Sequence, residues 1–245
     1  MIRVAILIDG GFYRKRAKRM WGEKTAEARA AELNAYCMAH LNYQLTSKVK
    51  RKDREEKDGK TEQLHYPPEP CSLYRIFYYD CAPVRRGVYH PLLKKEIRLE
   101  NTDTFEWTTA FFSELKKMRK FALRLGTLAT SGIGYNLKPS VTKKLLSGSM
   151  SLDDIDESHF DFVATQKGVD MRIGVDIASM AFKRQVDQII LIAGDSDFVP
   201  AAKLARREGV DFILDPMQQQ VKDDLNEHID GKRSLWKPSK SNTDK

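Results

Sequence analysis

The pattern of apolar positions along the chain predicts a series of buried strands. Consecutive apolar residues, rather than alternating ones, indicate strands that are covered on both faces, as in parallel sheets. The clearest runs are Val4–Ile8, which stops at Asp9, and Gln188–Ala193, which stops at Gly194 and Asp195. Further strands are predicted over Leu73–Tyr79, Phe121–Ala129, Val210–Leu214 and the short run Phe160–Ala164.

Segments with spaced apolar positions and helix-favouring residues separate these strands and predict helices. These segments are Phe12–Gly22, Thr25–Leu45, Leu92–Met118, Val169–Arg184 and Phe198–Arg207. Because strands alternate with helices over most of the length, we expect an α/β fold with a mainly parallel central sheet flanked by helices.

Two stretches interrupt this pattern and predict insertions in a single domain over residues 1–230. Residues 47–70 mix basic and acidic side chains almost without apolar ones, which is typical of an exposed insertion. Residues 130–157 are rich in Gly, Ser and Lys and predict a loop insertion. Residues 231–245 predict a flexible tail.

Composition narrows the class of protein. The 245 residues carry 42 Lys and Arg against 34 Asp and Glu, a net charge of +8, which favours an anionic partner and above all nucleic acid. The apolar runs are far shorter than the roughly 20 residues that span a membrane, and the first one is too short for a signal peptide. The 3 cysteines show no Cys-x-x-Cys spacing. We therefore expect a cytoplasmic protein with no membrane contact, no disulfide framework and no cysteine zinc site.

Carboxylates follow the clearest strands directly. Asp9 and Asp195 end two apolar runs, and the carboxyl ends of parallel strands share one edge of the sheet, where such folds bind ligands. Clustered carboxylates repel one another unless a proton or a cation compensates, and their oxygens suit Mg²⁺ or Mn²⁺. Asp170, in a first helical turn, and Asp197, two residues beyond Asp195, complete the predicted metal site.

Each of these carboxylates also has a structural interpretation. Asp9 and Asp195 could be turn aspartates, and Asp197 could cap the following helix. Asp176 is a less certain ligand, because it lies about 120° around the helix from Asp170 and could pair with Arg172 instead. Asp80 follows an apolar strand too, but the turn expected near Pro83 favours a structural role.

A basic run after the first strand predicts contacts with phosphates. It consists of Arg14, Lys15, Arg16, Lys18 and Arg19, and Lys167 beside Asp170 is a further candidate. A solvated helix face is the alternative interpretation of the run. Dinucleotide, P-loop and hydrolase-nucleophile motifs are missing from the sequence, and its 5 histidines are scattered singly.

The segments 4–11, 167–170 and 193–200 together resemble the signature of NYN domains, which are PIN-like nucleases, and in particular their LabA-like bacterial branch. The resemblance covers residues 2–216 apart from the two insertions. It implies a Rossmann-like PIN fold and metal-dependent cleavage of RNA. It assigns the acidic site to Asp9, Asp170 and Asp195, with Asp197 and Asp176 as less secure members. Many members of the family have Asn three positions after the first Asp, whereas this chain has Phe12.

We therefore hypothesise a Mg²⁺- or Mn²⁺-dependent endoribonuclease that acts on single-stranded or structured RNA. An RNA-binding or regulatory protein without turnover, and a nuclease acting on DNA in defence against foreign nucleic acid, are the alternatives. The sequence leaves open exo-cleavage, the number of metal ions and homo-oligomer formation.

Overall fold

The computed structural model of the protein describes residues 1–58, 70–128, 132–164 and 166–237. Its strands are β1 (Ile2–Asp9), β2 (Cys71–Cys81), β3 (Gly87–His90), β4 (Lys95–Arg98), β5 (Phe121–Leu128), β6 (Gly134–Leu137), β7 (Phe160–Val163), β8 (Gln166–Lys167), β9 (Gln188–Ile192), β10 (Asp211–Asp215) and β11 (Gly231–Lys232). Its α-helices are α1 (Gly10–Trp21), α2 (Ala26–Asp58), α3 (Asp103–Lys117), α4 (Pro139–Leu146), α5 (Val169–Phe182), α6 (Val199–Arg207) and α7 (Asp223–Glu227).

A seven-stranded sheet in the order β11-β10-β9-β1-β2-β5-β8 forms the centre of the fold. Strand β8 is antiparallel to β5, and every other neighbouring pair is parallel. This arrangement confirms the predicted α/β fold with a mainly parallel sheet. It also explains the unbroken apolar runs, because the central strands are covered on both faces.

Two hydrophobic cores lie on the two faces of the sheet. On one face, Ala5 and Leu7 of β1 pack with apolar residues of α5 and α6. On the other face, Val4, Ile6 and Ile8 pack with α1, α2 and α3. All five side chains are at most 1% exposed, so β1 is buried on both faces. The candidate site lies at its carboxyl end.

The segment predicted as a helix over Leu92–Met118 begins with a turn and the strand β4, the second half of a β-hairpin. Strands β3 and β4 pair antiparallel, and the helix α3 starts only at Asp103. Thr102 caps it by accepting a hydrogen bond from the Phe105 amide at 3.3 Å. The prediction was wrong before this cap because β-favouring Val88 and Tyr89 and their partners on β4 pair with each other instead.

The predicted insertions contain regular structure. Helix α2 runs into the charged stretch as far as Asp58, since Lys, Arg and Glu are good helix formers. Residues 59–69 of that insertion lie outside the described residues. The stretch predicted as a loop over 130–157 contains β6 and α4, and Pro139 occupies the first turn of α4, where its fixed φ is favourable. Residues 130 and 131 also lie outside the described part of the chain.

The start of the predicted tail belongs to the fold. Strand β11 extends the sheet beyond β10, and the ring of Trp236 lies 5.5 Å from Trp21 and 4.9 Å from Tyr36. Residues 238–245 are outside the described range. The domain boundaries drawn from the sequence stay a prediction.

In the described part of the chain, none of the helices combines the length and the apolar character that crossing a membrane requires.

Candidate nuclease site at the carboxyl edge of the sheet

The site begins with the carboxylates at the ends of β1 and β9. These strands are neighbours, with Ile8 paired to Ile192, so Asp9 and the Gly194-Asp195 turn leave the sheet at the same edge. Asp170 approaches from the first turn of α5. Gly168 precedes that turn with φ +77°, a left-handed conformation that glycine adopts without strain.

The charges of these carboxylates affect one another. The pKa of Asp9 is raised to about 6, chiefly by burial and to a smaller extent by the negative charges of Asp170 and Asp80. Partial burial also raises the pKa of Asp170, with added contributions from the charges of Asp195 and Asp197. Asp170 therefore interacts electrostatically both with Asp9 at the end of β1 and with the carboxylates after β9, and its predicted role as a metal ligand stays a prediction.

Two of the predicted ligands also cap helices. Oδ1 of Asp9 accepts a hydrogen bond from the Phe12 amide at 3.1 Å and caps α1. Oδ1 of Asp195 accepts from the Asp197 amide at 3.3 Å and caps the 3₁₀ turn Ser196–Phe198. The capping role considered for Asp197 thus belongs to Asp195, and Asp197 itself is exposed.

The donor chemistry of the site suits a hard cation. Asp9, Asp170, Asp195 and Asp197 offer only carboxylate oxygens, and a divalent ion would offset both the burial and the smaller like-charge repulsion that raise the pKa of Asp9 and Asp170. Within the described residues, no three acidic, histidine or cysteine side chains are already grouped around one cation position. The residues therefore fit a metal by charge and by donor type, whereas their ligand geometry is not preformed.

Asp176 is held by residues of the sheet. The hydroxyl of Tyr79 on β2 donates to its Oδ2 at 2.8 Å, and Nε of Arg124 on β5 lies 3.1 Å from the same oxygen. These contacts run to the sheet, whereas the alternative considered for Asp176 was pairing with Arg172 of its own helix. Asp176 thus joins α5 to the sheet, and its role as a less certain ligand stays a prediction.

Asp80 is a member of this edge that the sequence analysis set aside. Strand β2 runs through it to Cys81, so Asp80 ends a strand beside Asp9 rather than forming the expected turn. Its carboxylate is buried and accepts hydrogen bonds from the Cys81 amide at 2.8 Å and from Arg14 Nη2 at 3.0 Å. The signal was present in the sequence, because Asp80 follows an apolar run just as Asp9 does.

A further carboxylate at this edge, Asp215 at the end of β10, is structural. It is buried and accepts hydrogen bonds from the Met217 amide at 2.7 Å, from Ser234 at 3.0 Å and from the Tyr36 hydroxyl. Nε2 of His40 lies 2.9 Å from its Oδ2. These contacts fasten α2 and the C-terminal segment to β10.

The basic run after β1 divides into two groups. Arg14 pairs with Asp80, and the Arg16 guanidinium donates to the Met217 carbonyl at 2.6 and 3.2 Å. Lys15, Lys18 and Arg19 have exposed side chains, although Lys18 also pairs with Glu23. Lys167 is exposed at the strand β8, near Asp170. The phosphate-binding role predicted for all these residues is untested, and Arg14 and Arg16 already have protein partners.

An open cleft of about 570 Å³ lies over the start of α1. It is lined by Gly11, Arg14, Lys15, Lys18 and Ala164. We call this the basic cleft. Because Gly11 follows Asp9 by two residues, the basic cleft adjoins the carboxylate edge.

Phe12 stands where many NYN domains have Asn, and its ring covers the turn after β9. A Cβ placed on Gly194 would lie 2.4 Å from Phe12 Cε2, so only glycine leaves room for this ring. Phe12 also packs against the hydrophobic core beneath α1. Phe12 thus places apolar surface next to the glycine that precedes Asp195.

A solved structure and a family profile are similar to this chain. A solved structure of a protein of unknown function from Vibrio parahaemolyticus is similar to this chain, with 12% identity, a TM-score of 0.44, and coverage of 96% of this chain and 93% of that one. A search of curated proteins finds no match.

The family profile described as NYN domain matches residues 108–230, half of the chain, including Asp170, Asp195 and Asp197. The LabA-like branch stays a prediction. The chain therefore belongs to the NYN domain family, which indicates a nuclease of the PIN-like superfamily that binds nucleic acid.

Proposed function

We propose that this protein is a Mg²⁺- or Mn²⁺-dependent ribonuclease whose site lies at the carboxyl edge of the sheet. The observation that carries the proposal is the convergence of carboxylates at that edge: Asp9 ends β1, Asp195 follows the neighbouring strand β9, and the charges of Asp195 and Asp197 add to the burial that raises the pKa of Asp170. A protein that only binds a polyanion gains nothing from negative charges grouped beside its basic cleft. A protein that binds a divalent cation there gains ligands.

The residues divide the work between the metal and the substrate. A bound Mg²⁺ or Mn²⁺ supplies polarisation of the scissile phosphate, activation of a water and stabilisation of the leaving oxygen. Asp9, Asp170 and Asp195 would hold the ion, with Asp197 beside them. Ionised Asp9 is required for this role, and its raised pKa makes ligation compete with protonation near pH 6.

The exposed cations would hold the phosphates. Lys15, Lys18 and Arg19 are exposed on α1, Lys15 and Lys18 line the basic cleft, and Lys167 precedes Asp170 by three residues. Their charges neutralise the substrate backbone and attract it irrespective of its sequence. The cytoplasmic location expected from the cysteines stays a prediction.

A second candidate function is RNA binding without turnover. Phe12 in place of Asn, and the lack of a preformed three-ligand group among the described residues, are the observations that favour it. Both candidates retain the basic cleft. They differ in whether the protein cleaves RNA when a metal ion is present.

The experiment that separates them compares substrates and metals on one protein preparation. Labelled single-stranded RNA and DNA of the same sequence are incubated with Mn²⁺, Mg²⁺, Ca²⁺ or EDTA, and products are resolved by size. The proposal predicts RNA cleavage in Mn²⁺ or Mg²⁺ and none in EDTA. Preferential cleavage of DNA would make the protein a deoxyribonuclease, and binding without products in any metal would favour the second candidate.

A further inference from the structure

A second cavity, of about 330 Å³, adjoins the basic cleft on the side of β2 and β5. It lies over Asp80 and Cys81 at the end of β2 and is closed by Pro83, Leu99 and Phe105. Its volume is at the lower end of the range for small-molecule sites, which suits one flat ring system rather than a long ligand. We call it the side cavity.

Two aromatic residues from the β6–β7 pair form the outer wall of the side cavity. Tyr135 and Phe162 are directly opposite each other across the pair, with ring centroids 5.4 Å apart. Phe162 is 43% exposed although it lines a cavity. An apolar ring held at the mouth of a cavity is available for stacking on another ring.

The aromatic wall is supported from behind. His90 on β3 packs against Tyr135 at 4.4 Å and against Phe160 at 5.0 Å between ring centroids. The β3–β4 hairpin and the β6–β7 pair therefore hold each other in place. The sequence analysis predicted the strand at β7 but not β6 or the β3–β4 hairpin, and neither pair belongs to the central sheet.

The inner wall carries fixed polar groups. The Arg14 and Asp80 ion pair lies at the base of the side cavity, and Nη1 of Arg14 reaches Thr108 Oγ1 at 3.4 Å. Thr104, at the start of α3, adds a hydroxyl. A mostly apolar cavity with a few oriented polar groups is typical of sites that bind a heteroaromatic ligand.

The side cavity and the basic cleft are contiguous. Arg14 and Ala164 line both of them. A chain that places phosphates along Lys15 and Lys18 would therefore reach the side cavity with the group attached to the next sugar. That group is a base.

We propose that the side cavity binds one unpaired nucleobase of a single-stranded substrate, stacked on Phe162 and Tyr135, while the adjacent phosphates lie in the basic cleft. The inference rests on the proposed function in that it takes nucleic acid as the substrate. It adds that the substrate is single-stranded at this position, because a base within a duplex cannot enter a cavity without leaving its stack.

The test is a binding cycle that pairs a protein variant with a substrate variant. Affinity is measured in Ca²⁺, which suppresses turnover, for a fluorescent single-stranded oligonucleotide and for a set in which one base at a time is removed to give an abasic position. Phe162→Ala is the test variant and Phe162→Trp is its rescue. Tyr89→Ala, which removes a 60% exposed aromatic residue outside the side cavity, is the matched control.

We expect Phe162→Ala to raise the Kd of the intact oligonucleotide about 5- to 150-fold, the effect of losing one stacked base. Phe162→Trp and Tyr89→Ala should leave the Kd within about twofold of wild type. At one abasic position the wild type should lose the same factor, and Phe162→Ala should lose nothing more. Unchanged thermal unfolding of Phe162→Ala would assign the effect to the ligand, since the side chain is largely outside the core.

The outcomes separate this proposal from the nuclease proposal. If Phe162→Ala behaves like Tyr89→Ala, or if its effect multiplies with every abasic position, the side cavity does not bind a base, whether or not the wild type cleaves RNA. If the cycle shows coupling but Mn²⁺ yields no products, base binding stands and the nuclease proposal fails. No binding of single strands in Ca²⁺ would overturn the base site directly.

Discussion

Nη2 of Arg14 lies 3.0 Å from both carboxylate oxygens of Asp80 and joins the first turns of α1 to the end of β2. The Asp80 side chain is 1% exposed, and the Arg14 side chain is 28% exposed. Arg14 therefore has a structural partner, although the sequence alone predicted that it contacts the phosphates of a substrate. The same contact holds the Asp80 carboxylate, whose charge contributes to the raised pKa of Asp9, beside the end of β1.

Removing the cation from this pair should destabilise the protein. Arg14→Ala leaves the buried Asp80 charge with only hydrogen bonds from the protein, so we expect a loss of about 2–4 kcal/mol in the free energy of unfolding. Urea unfolding measures it. Lys15→Ala, one residue along on the exposed face, is the control and should change stability by less than about 0.5 kcal/mol. Equal stability of the two variants would mean that the pair contributes nothing.

Asp9→Asn should stabilise the metal-free protein at neutral pH. The folded-state pKa of Asp9 is raised to about 6 from an ordinary value of 3.8, so its stabilising contribution is complete below pH 3.8 and is lost as the pH rises through 6. Asn keeps the cap on α1 without the charge. In EDTA above pH 7 we expect a gain of up to about 3 kcal/mol.

The pH dependence of that gain is the check. Unfolding followed from pH 4 to pH 8 in EDTA should show the difference between wild type and Asp9→Asn shrinking towards zero at the acidic end. A difference of the same size at every pH would mean that the substitution acts through packing and not through charge.

Gly194 and Phe12 should be energetically coupled. Gly194→Ala puts a Cβ 2.4 Å from the Phe12 ring, and we expect overpacking to cost about 1–3 kcal/mol. In a Phe12→Asn background the space is open, so the same substitution should cost clearly less. The double-mutant cycle measured by thermal unfolding gives the coupling, and additive effects would contradict the close contact.

The two groups within the basic run should behave differently. Replacing Lys15, Lys18 or Arg19 by Ala should weaken RNA binding for every sequence and flatten its salt dependence by about one unit of slope per lost phosphate contact. Arg16→Ala should instead lower stability, because its guanidinium holds the Met217 carbonyl. Binding titrations at several salt concentrations in Ca²⁺ make the comparison. Unchanged slopes for the lysine variants would favour a solvated helix face.

The sequence predicted the central sheet well because burial on both faces leaves a strong local signal. The runs at Val4–Ile8 and Gln188–Ala193 are uninterrupted, and they correspond to β1 and β9 almost to the residue. The carboxylates at their ends could be identified for the same reason. A residue's place at the end of a buried parallel strand can be recognised from the few residues that precede it.

Side-chain contacts between residues that are distant in the chain could not be predicted in this way. Arg14 and Arg16 look like surface cations in sequence, and only the end of β2 and the turn at Met217 give them partners. The aromatic wall of the side cavity was missed because it depends on pairing between Tyr135 and Phe162, which lie on separate short strands. Weak strands with distant partners leave little periodicity to detect.

The most direct test of the account is metal-dependent cleavage by wild type and by Asp195→Asn on single-stranded RNA. Asn can still accept the Asp197 amide hydrogen bond, so the variant should fold and melt like wild type while it loses a metal ligand. We expect cleavage by wild type in Mn²⁺ that EDTA abolishes, and none above background from Asp195→Asn. Equal metal-dependent cleavage by both proteins would contradict the central claim that this carboxylate edge is the catalytic site.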